Sequence, residues 1–360
     1  MKFSEKLLKK SLIHDVEIYP NFFSNILKVT NQNKLFIVMI WDKVIPDHIY
    51  EEIKNSLPSY QIKFITPKEL SDYILKYNPW LIGYNSFHFD DVLMKALVRK
   101  PNDKKLISLM YAMTEWHINE KGSKYQYAKY KYDKCIRGID VMRVSGLDRM
   151  FKPLKQAAAN LRHTKIQDLP IKPGVNIKEN QIVDIIIYEL NDVLITEKIL
   201  LGLPKENNSP TIPSTAYNGL LEAVNFRYSI GKHFNIDLLN FNKSQIGEKL
   251  AAKLYAKASN RSPDDFKRQQ TNRNEIYYAN VIFDVIEFKT DFLKKSLKKL
   301  KDLIYDPYGN KEYKKKFKFE FDLFDLKVVF AQGGLHATHK TQKIFKKSEN
   351  TQLIDLDVGR

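Results

Sequence analysis

Residues 12–19 read LIHDVEIY, and the fold turns on what this segment is. Its apolar residues, Leu12, Ile13, Val16, Ile18 and Tyr19, suit a β-strand better than one face of a helix. Asp15 and Glu17 stand two apart, so on a pleated strand both side chains leave the same face. The flanking Val16 and Ile18 argue for a central strand; a solvent-facing edge is the alternative. Two adjacent carboxylates repel and raise each other's pKa unless a cation lies between them. Hard oxygen donors of this kind suit Mg²⁺ or Mn²⁺.

Working outward from this strand, residues 1–205 read as an α/β layer. NKLFIVMI (33–40) is a buried strand after a turn at Asn31–Asn33. PKELSDYILKY (67–77) starts a helix at Pro67 and sets Leu70, Ile74 and Tyr77 on one face. WLIGYN (80–85) is a short strand, and FDDVLMKALVRK (89–100) is an amphipathic helix directly after it. YQYAKYKY (125–132) alternates tyrosines with polar residues and reads as a strand, in a hairpin or in the core. GIDVMRV (138–144) reads as another strand and FKPLKQAAANLRH (151–163) as a helix. Residues 178–202, KENQIVDIIIYELNDVLITEKILLG, form a long helix stopped at Gly202.

The Pro-, Asn- and Ser-rich run LPKENNSPTIPSTAYNG (203–219) is the best linker in the chain, and places a domain boundary near Leu203–Ser214. Residues 206–360 then form a basic region of helices and strands. It has a helix near Lys243–Ser259, a strand at ANVIFDVIEF (279–288), a lysine-rich helix, and strands at DLKVVF (325–330) and QLIDLDV (352–358).

Composition narrows the partners. With 43% hydrophobic and 28% charged residues in 360, the chain is that of a soluble globular protein. It contains no run of the roughly 20 apolar residues that crosses a bilayer, nor an apolar stretch of signal-peptide length at its start. A cytoplasmic protein with no membrane partner is therefore expected. The lone cysteine, Cys135, excludes an internal disulfide and a zinc site built on paired cysteines. The net charge of +17 points to a polyanionic partner. Between Lys289 and Lys347 there are 16 Lys, no Arg and 7 acidic residues, with aromatics interleaved. Lysine suits phosphate, and aromatic rings stack on bases; a solvated helix face followed by a strand accounts for the same run.

Three further positions join Asp15 and Glu17. Asp90 ends GYNSFHFD (83–90), where a strand gives way to a helix, the usual place for a ligand site in an α/β sheet. Capping that helix is its alternative role, and Asp91 is its rival. Tyr188 and Asp192, four apart on the long helix, share a face; an exposed Asp beside a packed Tyr is the plainer reading. Together these residues are the equipment of two-metal phosphodiester hydrolysis.

The order DVE (15–17), NSFHFD (85–90) and YELND (188–192) resembles the three exonuclease motifs of family B DNA polymerases of the phage type. FKPLKQAAANL and IQDLPI (166–171) resemble the stretch before the last motif. The resemblance implies an RNase H-like exonuclease fold, a mixed sheet flanked by helices, over residues 1–205. It implies Asp15, Glu17, Asp90 and Asp192 as ligands of two Mg²⁺ ions, with Mn²⁺ as substitute, and Tyr188 as the residue that positions water. It prefers Asp90 over Asp91, because the motif's aspartate follows the phenylalanine directly, and it assigns Asn85 and Phe89 to the 3′-terminal nucleotide of DNA. FAQGGLHATHK (330–340) and LIDLDVGR (353–360) resemble the approach to a polymerase palm, with Asp357 as its first metal-binding aspartate and Asp355 as the near alternative.

The expected activity is 3′-5′ exonuclease proofreading in the N-terminal portion of a DNA polymerase, in the host cytoplasm if the source is viral. Fingers, thumb and the remaining palm motifs are not among these 360 residues, so DNA synthesis is not expected of the chain alone, and a separate chain with the polymerase C-terminal half is an expected partner. Two alternatives stand beside this: a free-standing exonuclease of the same fold, and a catalytically silent DNA-binding or docking subunit of a split polymerase.

Overall fold

The computed structural model describes residues 3–146, 153–202, 219–262, 264–265, 275–285, 287–305, 318–323, 326–331 and 334–339. The chain forms two compact units, Met1–Pro263 and Asp264–Arg360. The first is an α/β unit built on a six-stranded mixed sheet. Its strands are β1 (Ser11–Tyr19), β2 (Phe22–Val29), β3 (Lys34–Trp41), β4 (Gln61–Phe64), β5 (Trp80–Gly83) and β6 (Arg137–Asp140), in the order β4-β3-β2-β1-β5-β6. β1, β2 and β3 form an antiparallel meander, while β5 runs parallel to both β1 and β6, and β4 runs parallel to β3.

Alternation along β1 divides the core. Leu12 and Val16 face one side, where α3 (Pro67–Tyr77), α4 (Asp90–Arg99), α5 (Leu106–Asn119) and α6 (Lys124–Lys131) pack through Leu70, Leu93, Met110 and Tyr130. Ile13 and Tyr19 face the other side, covered by α2 (Asp47–Ser56), α8 (Leu154–Asn160) and α9 (Ile182–Leu201) through Ile53, Ala158 and Ile186. Asp15 and Glu17 share the parity of Ile13 and Tyr19, so they face α9.

β2 is the strand that pattern reading passes over. FFSNILKV buries the polar Ser24, Asn25 and Lys28 almost completely. Each finds a partner: Ser24 Oγ donates to Glu189 Oε2 at 2.5 Å, Asn25 Nδ2 to the Asp15 carbonyl at 2.6 Å, and Lys28 Nζ pairs with Glu197 at 2.6 Å. Helix α9 thus supplies two carboxylates, eight residues apart on one stripe, that accept from a central strand.

Several expectations need correction. YQYAKYKY is helical: Ser123 accepts from the Gln126 N–H and starts α6, whose Tyr127 and Tyr130 are buried three apart while Tyr125 and Tyr132 are exposed. GIDVMRV is a strand only to Asp140, whose side chain accepts from the Met142 N–H and starts a short helix, α7 (Val141–Ser145). ANVIFDVIEF forms no strand among its described residues; a 3-10 turn at Tyr278–Asn280 precedes an irregular segment in which Phe283 and Val285 are exposed. Tyr77 leaves the apolar stripe of α3 and is exposed, whereas Leu70 and Ile74 are buried. A Thr66 capping box opens α3.

The first unit also runs past residue 205. The linker residues 203–218 lie outside the described set. Beyond them, helix Leu221–Phe234 returns to pack on α1 (Phe3–Lys9), with the Phe3 and Tyr228 rings stacked at 3.7 Å and the Ser4 N–H donating to Asn225 Oδ1 at 2.6 Å. Arg227 is buried and its guanidinium donates to the Val144 carbonyl at 2.9 Å. The helix expected at Lys243–Ser259 has those bounds.

In the second unit, β7 (Ile276–Tyr277) pairs with β8 (Ile304–Tyr305), and β9 (Lys318–Leu323), β10 (Leu326–Ala331) and β11 (Gly334–His339) form an antiparallel meander. The lysine-rich helix spans Asp291–Lys301. Asp355, Asp357 and the QLIDLDV segment lie outside the described residues. No helix among the described residues is long and apolar enough to cross a membrane.

Candidate active site

The carboxyl end of β1, the segment after β5 and the middle of α9 enclose a cleft of about 750 Å³. Asp15, Glu17, Asp90 and Asp192 all line it, together with Asn85 and Phe89. Thus the four carboxylates expected as metal ligands reach one place, and their rival Asp91 does not. Tyr188 stands one turn before Asp192; it is buried, and its hydroxyl holds the Asp192 carboxyl down by hydrogen bonding. Asp91 turns away into the sheet's opposite layer, where its Oδ1 lies 3.3 Å from His14 Nε2.

Local structure explains the divergence of Asp90 and Asp91. Asn85 adopts a left-handed backbone at φ 56°, and its N–H donates to Asp140 Oδ1 at 2.9 Å. That tie bends the chain into the 3-10 turn Ser86–His88, and α4 starts immediately after it. Phe89, with no side-chain cap, is the residue before the helix, so Asp90 is not its cap. Successive helical residues differ by about 100°, which sends Asp90 and Asp91 to different sides.

The electrostatics are those of like charges confined together. Burial, followed by Asp90, Asp192 and Glu17, raises the Asp15 pKa well above the carboxylate range. Burial and Asp192 push Glu17 up to about 8. Burial and Asp91 raise Asp90 well above its ordinary value. Asp192 rises only to about 6, lifted by burial and held back by Tyr188 and the Lys155 charge. Burial and Asp192 raise the Tyr188 phenol, which stays protonated as a donor. Among the described residues, no three acidic, histidine or cysteine side chains are drawn together tightly enough to hold an ion as they stand. The donor set itself, four carboxylates in one cleft with a phenol beside them, fits a hard divalent cation.

Three residues absent from the sequence reading belong here. Glu189 is fully buried and accepts from Ser24 Oγ and from the Ile26 N–H at 2.6 Å, which fixes α9 against β2. Arg143 lines the cleft and lies over the Phe87 ring at 4.6 Å, a cation beside the acidic floor. Its signal was lost because α7 was read as strand. His88 also lines the cleft, and burial with nearby Lys131 and Arg143 lowers it to about 4, so it is neutral at pH 7.

No protein-family model matches the chain, and no curated protein matches it.

Proposed function

We propose that the first unit is a metal-dependent 3′-5′ exonuclease of the RNase H-like class, the proofreading part of a family B DNA polymerase. The observation that carries this reading is the meeting of Asp15, Glu17, Asp90 and Asp192, from three elements, in one cleft. Burial and mutual repulsion hold these groups toward protonation, an arrangement that costs stability and is relieved by divalent cations. The sheet order supports the finer fold: an antiparallel meander β3-β2-β1 followed by parallel β5 and β6 suits an RNase H-like core.

In this reading Asp15, Glu17, Asp90 and Asp192 hold two Mg²⁺ or Mn²⁺ ions. When bound, such ions lower the pKa of water and offset charge on the transferring phosphoryl group. Tyr188, protonated and tied to Asp192, orients the attacking water through its hydroxyl. Arg143 sits where it can neutralise a phosphate oxygen, which the carboxylates alone would repel. Phe89 offers a ring, and Asn85 an exposed amide, to the 3′-terminal nucleotide. Water adds to phosphorus, the bond to the 3′ oxygen of the preceding nucleotide breaks, and a nucleoside monophosphate leaves. The palm assignment of Asp357, and a partner chain with the remaining polymerase, belong to the same proposal.

The test is degradation of a 3′-labelled, mismatched primer–template with Mg²⁺ or Mn²⁺, beside Asp90→Ala. Metal-dependent release of mononucleotides, lost in the variant, is expected. DNA binding without cleavage under either metal would instead favour the silent docking subunit.

A further inference from the structure

A second and larger cleft, about 1230 Å³, opens at the opposite end of the sheet. β1, β5 and β6 are parallel, and this cleft gathers the residues at their amino ends: Lys10 before β1, Trp80 opening β5 and Arg137 opening β6. The acidic cleft lies toward their carboxyl ends, about 20 Å further along β1 at roughly 3.3 Å per residue. The first turn of α4 separates the two, with Asp90 lining one and Asp91 the other.

The lining is strongly basic. Seven cationic side chains face three carboxylates, and one of those, Asp133, is already held by Arg99 at 2.8 Å. Lys6, Lys9, Lys10, Lys134 and Arg137 make no ion pair among the described residues. All five are exposed. A cluster of uncompensated cations raises its own energy unless an anion settles there. Aromatic rings stand among them. Arg137 lies over Trp80 at 5.4 Å, and Lys131 lies 6.0 Å from the ring of Tyr132, which is 76% exposed.

Size decides the occupant. Pockets for small ligands run from about 300 to 1000 Å³, and this cleft exceeds them. Its charge comes from the end of α1, from α4 and from the segment between α6 and β6 rather than from one element, which suits a chain of phosphates. Exposed rings between the cations suit unpaired bases, whose faces stack without sequence preference. We infer that this cleft binds single-stranded nucleic acid, as a holding surface separate from the carboxylate site. The inference does not depend on the nuclease reading, since none of its residues belongs to that site.

The experiment is equilibrium binding of a fluorescent oligothymidylate across a KCl series, in EDTA so that no metal-dependent cleavage intervenes. K6A/K9A/K134A is compared with the wild type, the three Lys→Arg replacements and Tyr132→Ala. For single strands, each phosphate contact contributes about −0.7 to the slope of log K against log salt, so the triple variant should flatten it by about 2. The arginine set should restore binding. Tyr132→Ala should weaken it roughly tenfold with an unchanged slope, as expected for a stacking contact. Wild-type affinity and slope in the triple variant would overturn the inference, as would equal competition by a polyglutamate peptide. Failure of the nuclease reading looks different: the cleft-dependent binding remains while Mn²⁺ elicits no cleavage.

Discussion

At the scale of single residues, the molecule concentrates unfavourable charge in one cleft. Replacing Asp15 and Glu17 by Asn and Gln keeps their shape and removes two of the carboxylates that raise one another's pKa. A unit of pKa shift corresponds to about 1.4 kcal/mol, so the metal-free double variant should be at least about 1 kcal/mol more stable at neutral pH while losing cleavage below detection. Thermal unfolding beside a nuclease assay checks both halves, and a destabilised variant would remove the argument from repulsion. Asp133 shows the opposite electrostatics. Two hydrogen bonds from Arg99, at 2.8 and 2.9 Å, and one from the Cys135 N–H lower it from 3.8 to about 2. A depressed carboxyl stabilises the fold above its unfolded pKa and loses that contribution as pH falls through the folded value. The gap in thermal midpoint between wild type and Arg99→Ala should therefore be full above about pH 4 and close toward pH 2. An unchanged gap across that window would show the pair to be without consequence. The sequence displayed the acidic residues of the site because each motif is local, with partners two or four positions apart. It hid Glu189 and Arg143, whose roles depend on what α9 and α7 touch across the fold.

At the scale of elements, α9 is both a wall of the site and the clamp of the sheet. Glu189 accepts from Ser24 and Ile26, and Glu197 takes Lys28 and the Asn31 N–H. Glu189→Ala would strand two buried donors, at about 1–3 kcal/mol each, and should lower stability by roughly 2–4 kcal/mol. Glu189→Gln should cost less, because burial already pushes this carboxyl toward its neutral form and an amide oxygen can accept from the Ile26 N–H. Denaturant unfolding distinguishes them, and equal losses would mean the charge itself matters. The same clamp explains why β2 was not legible. Its Ser24, Asn25 and Lys28 break the apolar pattern of a central strand, and two of them, Ser24 and Lys28, are accounted for only by a distant helix, α9. In α6 the error came from period: tyrosines at 125, 127, 130 and 132 satisfy alternation in part, while only 127 and 130 are buried, at helical spacing. The helices α3, with its capping box, and α4 and α9, with their apolar residues, needed no tertiary knowledge.

At the scale of the whole molecule, composition placed a boundary inside a compact unit that runs to Pro263. Asn240 accepts the Asp140 N–H at 2.9 Å and donates to the Gly138 carbonyl at 2.8 Å, so residues beyond the linker complete the β6 edge of the sheet. A protein cut after residue 205 loses these bonds, the Arg227 contact with Val144, and the packing of helix Leu221–Phe234 on α1. It should unfold at least several degrees below one ending at Pro263, given about 2–4 °C per kcal/mol for a unit of this size. Equal midpoints would restore the boundary near 205. High Pro, Asn and Ser content marks a linker well, but it cannot say whether the next helix returns to the same core.

The first turn of α4 carries one further consequence. Asp90 and Asp91 face different chambers because helical residues advance by about 100°. Deleting one residue between Asn85 and Phe89 would shift the helix by one position, turning Asp91 toward the acidic cleft and Asp90 away from it, whereas an insertion would move Asp90 into the place of Asp91 and leave the acidic cleft without either. The length of this loop, more than its composition, therefore decides which aspartate the acidic cleft receives.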